Sequence, residues 1–313
     1  MSKPKIYIDG KEGTTGLQIY ERLGDRDDVE LLFIDEDKRK DVAERKKLLN
    51  EADLVFLCLP DAAAVEAVSL IDNPNTRVID CSTAHRTAEG WIYGFPELTG
   101  QWEQIRKARR VANPGCYATG FLSLVRPLVE KGVLPADARV TCHALSGYTG
   151  GGKKAISQYG GPDREAELDS PRHYAVSLSH KHLPEMAKIA GLERTPLFMP
   201  MICDFPQGML VTVPLWPDDL NGAQSVESLR ALYADYYQGS AVVELCPADA
   251  PSCGFIGSNN LAGKDTLQIF VNGNAEQVML SARLDNLGKG ASGAAVQNMN
   301  LMLNFEETKG LCL

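Results

Sequence analysis

The chain has 313 residues, 44% of them hydrophobic and 23% charged, with a formal net charge of -9 at pH 7. That length suggests roughly two domains of about 150 residues each, and the composition is that of a soluble globular protein. The acidic balance argues against a nucleic-acid partner, which needs a basic face, while leaving room for a local basic pocket that takes a small anion.

The opening "PKIYIDGKEGTTGLQIYERL" reads as strand, glycine turn, helix. Ile6 and Ile8 alternate with polar residues, Gly10, Gly13 and Gly16 follow at three-residue spacing, and Leu17, Tyr20 and Leu23 form one helical apolar face. Glycines there let backbone approach a pyrophosphate resting on a helix N-terminus. The spacing G-x-x-G-x-x-G departs from the usual G-x-G-x-x-G, and a plain tight turn also explains it. "VELLFID" is a second strand ending at Asp35, "ADLVFLCLP" a third, and "TRVIDCS" a fourth, with the helix "DAAAVEAVSLI" between the last two. Strands and helices alternating at this pace predict an α/β fold with a doubly wound parallel sheet and a ligand site at the carboxyl ends of its strands. Asp35 suits a ribose 2′-hydroxyl, Lys38 and Arg39 a 2′-phosphate, so the residues leave NAD and NADP both open. "STAHR" then places Ser82 and the planar cation Arg86 at the mouth of the sheet.

Cys116 stands in "VANPGCYATGFLSLVRPLVEKG", between a Pro-Gly turn and a helical apolar run. A thiol in the first turn of a helix meets aligned N–H groups that favour the thiolate, whereas a thiol pointing inward only packs. The local sequence leaves both readings open. "TCHALSGYTGGGKK" predicts a strand entering a Gly-rich loop that ends at Lys153 and Lys154. Further on, His180 and His182 stand two apart, ahead of a short helix over Leu183–Ala190. In an extended segment they share a face, which suits general acid/base work.

The rest reads as a strand-rich second domain. "VNGN" looks like a tight hairpin turn, "GGPDREAELDSPRH" is the expected mobile loop, and a closing helix carrying Val296, Met299, Leu301 and Met302 is expected to return to the nucleotide domain. The opening enters a strand without a leader, no apolar run reaches membrane length, and the eight cysteines form no CxxC pair or zinc spacing. A cytoplasmic protein with reduced thiols, no metal and no membrane contact is the expectation.

Six stretches taken together, "CSTAHR", "YGFPEL", "NPGCYAT", "SGYTGGGKK", "HKHLPE" and "GKGASGAAVQNMN", resemble the motifs of the N-acetyl-γ-glutamyl-phosphate reductases, relatives of aspartate-semialdehyde dehydrogenase. The resemblance runs over nearly the whole chain. Its length and its "GKEGTTG" opening resemble the short, type 2 form, the longer form reading closer to G-A-S/T-G-Y-x-G.

The resemblance implies an NADP-binding Rossmann-type domain over 1–115 and 289–313, with an α+β catalytic and dimerisation domain over 116–288. It implies NADPH-dependent reduction of an acyl phosphate through a thioester on Cys116, His180 and His182 supplying the acid/base group, with His180 favoured. Cofactor contacts would be Gly10, Gly13, Thr14, Thr15, Gly16, Lys38, Ser82, Gly290 and Asn298. Substrate contacts would be Arg86, Ser146, Gly147 and Lys153. It further implies a homo-oligomer, a dimer or tetramer. The competing readings are a sister reductase of aspartyl or aminoadipyl phosphate, and a nucleotide-binding redox sensor built on Cys116.

Overall fold

The computed structural model describes residues 3–162, 164–250 and 254–313. Met1, Ser2, Asp163, inside the segment expected to be mobile, and Cys253 lie outside the described residues. The chain divides into two compact units, residues 1–114 with 291–311, and residues 115–290 with the last two. Gly115, Lys289, Gly290 and the final two residues fall in the second unit, whereas the expected boundary places them in the first.

The first unit alternates strands and helices: β1 (Lys5–Asp9), α1 (Thr14–Gly24), β2 (Glu30–Leu32), α2 (Val42–Glu51), β3 (Leu54–Leu57), α3 (Asp61–Ser69), β4 (Arg77–Asp80), β5 (Ile92–Tyr93), α4 (Gln101–Lys107) and β6 (Arg110–Ala112). The strands form one parallel sheet in the order β2-β1-β3-β4-β6-β5. A parallel sheet must be covered on both faces, and β3, with all four residues buried, shows it. Leu54 and Phe56 join Ile6, Ile8 and Ile79 in one core, to which the C-terminal helix Gly293–Met302 contributes Val296, Met299, Leu301 and Met302. Val55 and Leu57 point the other way and join Tyr7, Leu49, Ala64 and Val78. The two cores are the doubly wound arrangement that the alternating pattern predicts.

The second strand stops earlier than its apolar run suggests. β2 covers three residues, and Asp35 instead precedes a 3-10 turn over Glu36–Lys38 and pairs with Lys38 at 3.6 Å. The run of charges there keeps its side chains in water, so the chain turns instead of extending the edge of the sheet.

Near the end of α1, Arg26 grips Asp28 with Nε at 2.7 Å and Nη2 at 2.8 Å, and Lys309 adds a contact at 3.0 Å. The Arg26 hydrogen bond holds the Asp28 carboxyl well below its ordinary value of 3.8. A depressed carboxylate stabilises the fold above its unfolded pKa and loses that contribution as pH falls through the folded value. Asp28→Asn is therefore expected to lower stability by on the order of 1 kcal/mol at pH 7. Denaturant titrations at pH 7 and below pH 4 check this: the gap between variant and wild type narrows in acid.

The second unit opens with α5 (Cys116–Glu130), followed by β7 (Thr141–Gly147), α6 (Gly152–Gly160), β8 (Arg172–His173), α7 (Leu183–Ala190), β9 (Leu197–Cys203), β10 (Met209–Leu215), α8 (Val226–Tyr236), β11 (Val243–Leu245), β12 (Leu267–Gly273) and β13 (Val278–Leu284). The strands make a mixed sheet in the order β11-β12-β13-β10-β7-β9-β8. α5 lies on one face with Phe121, Leu122, Leu124 and Val125 fully buried. Gly120 permits the close approach, since a Cβ there would stand 2.5 Å from Cγ2 of Val211.

Two local expectations are corrected. Lys153 and Lys154 do not end a glycine loop; they lie in the first turn of α6, after a 3-10 turn over Tyr148–Gly151. The hairpin exists, but Asn272 and Gly273 are its last strand residues, and the reversal is made by 274–277. Asn274 closes that turn, its side-chain oxygen accepting from the N–H groups of Glu276 and Gln277. Gly273 is required by a φ of +147° and by the carbonyl of Gln277, 2.2 Å from where a Cβ would sit.

Candidate active site

Gly115 has extended backbone and ends the Pro-Gly turn, so Cys116 becomes the first residue of α5, half-buried, with no side chain capping the helix. That is the place where free N–H groups stabilise a thiolate. Other cysteines of the unit behave differently: burial pushes the thiols of Cys142 and Cys203 up, and that of Cys246 up to about 11. They pack, whereas Cys116 is half-buried at a helix start.

The helix start is held from a second side. Glu185, on the first turn of α7 and buried, accepts a hydrogen bond from the N–H of Gly115 at 3.2 Å. Glu185 stands in the "HKHLPE" stretch without having been assigned a role. The available signal was an acid at a position of a short helix whose neighbours Met186 and Ala190 face inward.

Tyr117, next to the thiol, is the hub of an aromatic cluster. Its ring lies 5.7 Å from that of His180, 5.9 Å from that of His182 and 5.1 Å from that of Phe198. The two imidazoles meet edge to face at 4.7 Å. They do so without the extended backbone assumed for them, because His182 has helical dihedrals just before α7. The N–H of His182 donates to Nδ1 of His180 at 3.1 Å, leaving Nε2 as the protonated end of a neutral His180 ring. Burial pushes the phenols of Tyr117 and Tyr174 well up, so both stay protonated and can donate. Neither tyrosine was singled out beforehand, because only the fold brings β8 beside the start of α5.

Of the other expected residues in this unit, Ser146 is buried at the end of β7 and gives its hydroxyl to the carbonyl of Gly147. Gly147 passes so close to Pro206 that a Cβ would stand 2.5 Å from its carbonyl oxygen. Gly290, expected at the cofactor, lies against Cys116: a Cβ there would be 2.8 Å from Cβ of Cys116. Lys153 is exposed.

In the first unit, Gly10 follows β1 with φ +89°, and its missing Cβ would stand 2.4 Å from the carbonyl oxygen of Cys58. A Cβ on Gly16 would meet the carbonyl oxygen of Gly10 at 2.5 Å. Thr14 and Thr15 open α1 directly after Gly13. Beside this turn lies a cavity of about 480 Å³, lined by Gly10, Lys11, Glu12, Arg39, Lys40 and Arg45 among others. Arg45 is tied to the buried Asp9 at 2.9 Å. Lys38 does not line the cavity; its neighbours Arg39 and Lys40 do. Ser82 is bonded to Asp80 at 2.7 Å. Arg86 is buried, with Nε on the carbonyl of Asn113 at 3.0 Å and Nη2 on that of Cys81 at 3.4 Å. Asn298 donates to Gly94 and Asn113, while its Oδ1 is buried with no partner among the described residues. A glycine cradle, an adjoining cavity lined by Lys11, Arg39, Lys40 and Arg45, and an orphaned amide oxygen fit a dinucleotide. Among the described residues no cluster of His, Cys, Asp or Glu fits a metal, and no helix is long and apolar enough to cross a membrane.

A dinucleotide unit joined in sequence to a unit with a cysteine at a helix start defines a dehydrogenase of the semialdehyde class. The family described as semialdehyde dehydrogenase, NAD binding domain, matches residues 5–108, and that described as semialdehyde dehydrogenase, dimerisation domain, matches residues 116–286. Aspartate semialdehyde dehydrogenase II from Vibrio cholerae shares the fold, with a TM-score of 0.73 at 16% identity over 97% of this chain and 99% of that one. At the level of sequence, the chain is 50% identical to N-acetyl-gamma-glutamyl-phosphate reductase 2 of a Nostoc species, over 99% of this chain and all of the relative. It is 51% identical to N-acetyl-gamma-glutamyl-phosphate reductase of Rhizobium etli, over 96% of this chain and 99% of that one. The chain belongs to the N-acetyl-gamma-glutamyl-phosphate reductase family.

Proposed function

We propose that this protein reduces N-acetyl-L-glutamyl 5-phosphate to N-acetyl-L-glutamate 5-semialdehyde with NADPH, releasing phosphate, as a step of arginine biosynthesis. The observation that carries the reading is the half-buried Cys116 at the first turn of α5, with two imidazoles grouped around the neighbouring Tyr117. The names and near-complete match of the relatives choose the substrate.

An acyl phosphate is already activated, so the Cys116 thiolate attacks its carbonyl carbon, the C–O bond to phosphate breaks, and a thioester forms. The His182 imidazole takes the thiol's proton and passes it to the departing phosphate. Nε2–H of His180 and the N–H groups of Cys116 and Tyr117 are the donors for the acyl oxygen as negative charge develops. NADPH, when bound, would supply a hydride to the acyl carbon and so take it to the aldehyde level. Gly10, Gly13, Gly16, Thr14 and Thr15 would hold its pyrophosphate, Arg39 and Lys40 its 2′-phosphate, and Asn298 its amide end. When the aldehyde leaves, the carbon–sulfur bond breaks and Cys116 is released as the thiolate, which solvent can reprotonate.

The protein acts in the cytoplasm, as a biosynthetic enzyme would, and assembles as a homo-oligomer, the arrangement that the matched dimerisation domain suggests. Light scattering on the eluted protein distinguishes dimer, tetramer and monomer. The reaction itself is tested in reverse, by NADPH formation from N-acetylglutamate semialdehyde with and without phosphate. Turnover that needs phosphate is the expected result. Turnover only with the aspartate or aminoadipate semialdehydes would overturn the substrate, and NADPH binding without any turnover would favour a redox sensor.

A further inference from the structure

Two thiols of the first unit take no part in the chemistry above, yet the fold brings them together. Cys58 and Cys81 directly follow β3 and β4, whose last residues, Leu57 and Asp80, stand in register. The N–H of Cys81 donates to the carbonyl of Leu57 at 2.9 Å. That bond carries the parallel ladder one step further and sets the two cysteines side by side. Both side chains pack against the core that holds Phe56 and Ile79, so they lie on one face of the sheet. They are half-buried and in hydrogen-bond contact with each other.

Neighbouring strands run about 4.8 Å apart, inside the Cα separation of about 4.4–6.8 Å that a disulfide spans. The Cβ atoms of parallel neighbours keep about the strand spacing, whereas a disulfide brings its Cβ atoms to about 3.8 Å. Closing the bond therefore draws the ends of β3 and β4 together by about 1 Å. Strain of that kind makes the bond easily reduced, and so reversible. Cys58 also backs the cofactor turn. Its carbonyl oxygen stands 2.4 Å from where a Cβ on Gly10 would be, and its Cβ stands 3.1 Å from one on Gly16. On the other side, the carbonyl of Cys81 accepts from Nη2 of Arg86 at 3.4 Å. A pull between the two sulfurs is transmitted to the glycine turn and to Arg86 alike.

We infer that Cys58 and Cys81 form a modification site, a dithiol that a low-molecular-weight disulfide oxidises to a Cys58–Cys81 bond, and that this bond weakens dinucleotide binding. The second half of the inference rests on the cofactor site proposed above. The hydrogen bond with Cys81, and then burial, push the Cys58 thiol well above its ordinary value of 9.0, so Cys81 reacts first. Its thiolate attacks one sulfur of the oxidant, the sulfur–sulfur bond breaks, and one thiolate leaves. Cys58 then gives up its proton and attacks the Cys81 sulfur of the mixed disulfide, releasing the second. Two electrons and the two thiol protons pass to the oxidant, which departs as two thiols.

The test treats the full chain with glutathione disulfide, removes the oxidant, maps the bond by peptide mass and reads NADPH affinity by fluorescence. Wild type is expected to yield a Cys58–Cys81 peptide pair and to bind NADPH about 10- to 100-fold more weakly, the usual size of coupling between two sites. Dithiothreitol restores the affinity. Coupling is reciprocal, so NADPH that saturates both forms raises by the same factor the glutathione disulfide needed, at fixed glutathione, for half-oxidation. Cys81→Ser and Cys58→Ser leave Cys116 open to the same oxidant, and they lose no further affinity on treatment. The map and the affinity shift in the wild type decide the matter even where a serine variant fails to fold. Absence of the peptide pair, its presence with unchanged affinity, or an equal loss in Cys81→Ser would overturn the inference while leaving the reaction standing. A reduced wild type that does not bind NADPH removes the cofactor reading and the coupling with it.

Discussion

Cys116→Ser is expected to abolish phosphate-dependent NADPH formation, with a loss of at least about 10⁴-fold, the scale seen when an active-site group acting in concert with others is removed. The variant should fold and melt as the wild type does, since the exchange changes one atom of a half-buried side chain. The physical reason for so large an effect is that serine at the same helix start cannot reach the anionic form at neutral pH. The N–H groups of the first turn lower a thiol into the physiological range, but a hydroxyl begins far above it. Cofactor binding, followed by quenching of NADPH fluorescence, should persist. Loss of binding together with turnover would mean that the substitution damaged the fold and would leave thioester chemistry unsupported; full turnover would exclude it.

Gly290→Ala is expected to cost about 100-fold or more in kcat, because displacement of a reacting group by about 1 Å has that consequence. A Cβ at residue 290 would stand 2.8 Å from Cβ of Cys116 and 2.9 Å from the carbonyl oxygen of Asp285. Neither neighbour is the far end of a flexible chain. Asp285 also accepts the N–H of Gly290 at 2.9 Å, so the backbone there is held on both sides. The way left is for the start of α5 to move, displacing Cys116 relative to the His180–His182 pair. Overpacking of this kind costs about 1–3 kcal/mol in stability, which a folded domain survives. A thermal melt paired with the rate of alkylation by iodoacetamide reads both effects at once. A stable protein with slow alkylation and slow turnover is the expected outcome, and wild-type kcat would show that Gly290 does not set the nucleophile.

The alternation of short apolar runs with helical stretches through residue 112 was enough to predict the parallel sheet, because a strand buried on both faces has to read as continuous Val, Ile, Leu and Phe. Leu54–Leu57 is such a run and is buried throughout. The glycines at 10, 13 and 16 were legible for a similar reason: close backbone approach admits no side chain, and two of the three positions would clash with a carbonyl. Charged and glycine-rich stretches were less legible. Asp35 and Lys38 could be read as strand end and phosphate contact, yet they pair with each other in water. The glycines before Lys153 suggested a loop, and the structure makes a helix there, since only packing of Ala155 and Tyr159 inward decides its form.

What the sequence by itself determined was the α/β class, the position of Cys116 at a helix start and the nearness of His180 to His182. Each of these follows from interactions over a few residues: hydrophobic period, a Pro-Gly turn, a two-residue spacing. The tertiary structure alone decided which groups face that thiol. Glu185 reaches Gly115 across 70 positions of chain, Tyr174 meets Tyr117 across 57, and Gly290 lies against Cys116 across 174. No local pattern encodes such contacts, because they exist only once the strands of the mixed sheet pair in register and α5 is laid across β10 and β13.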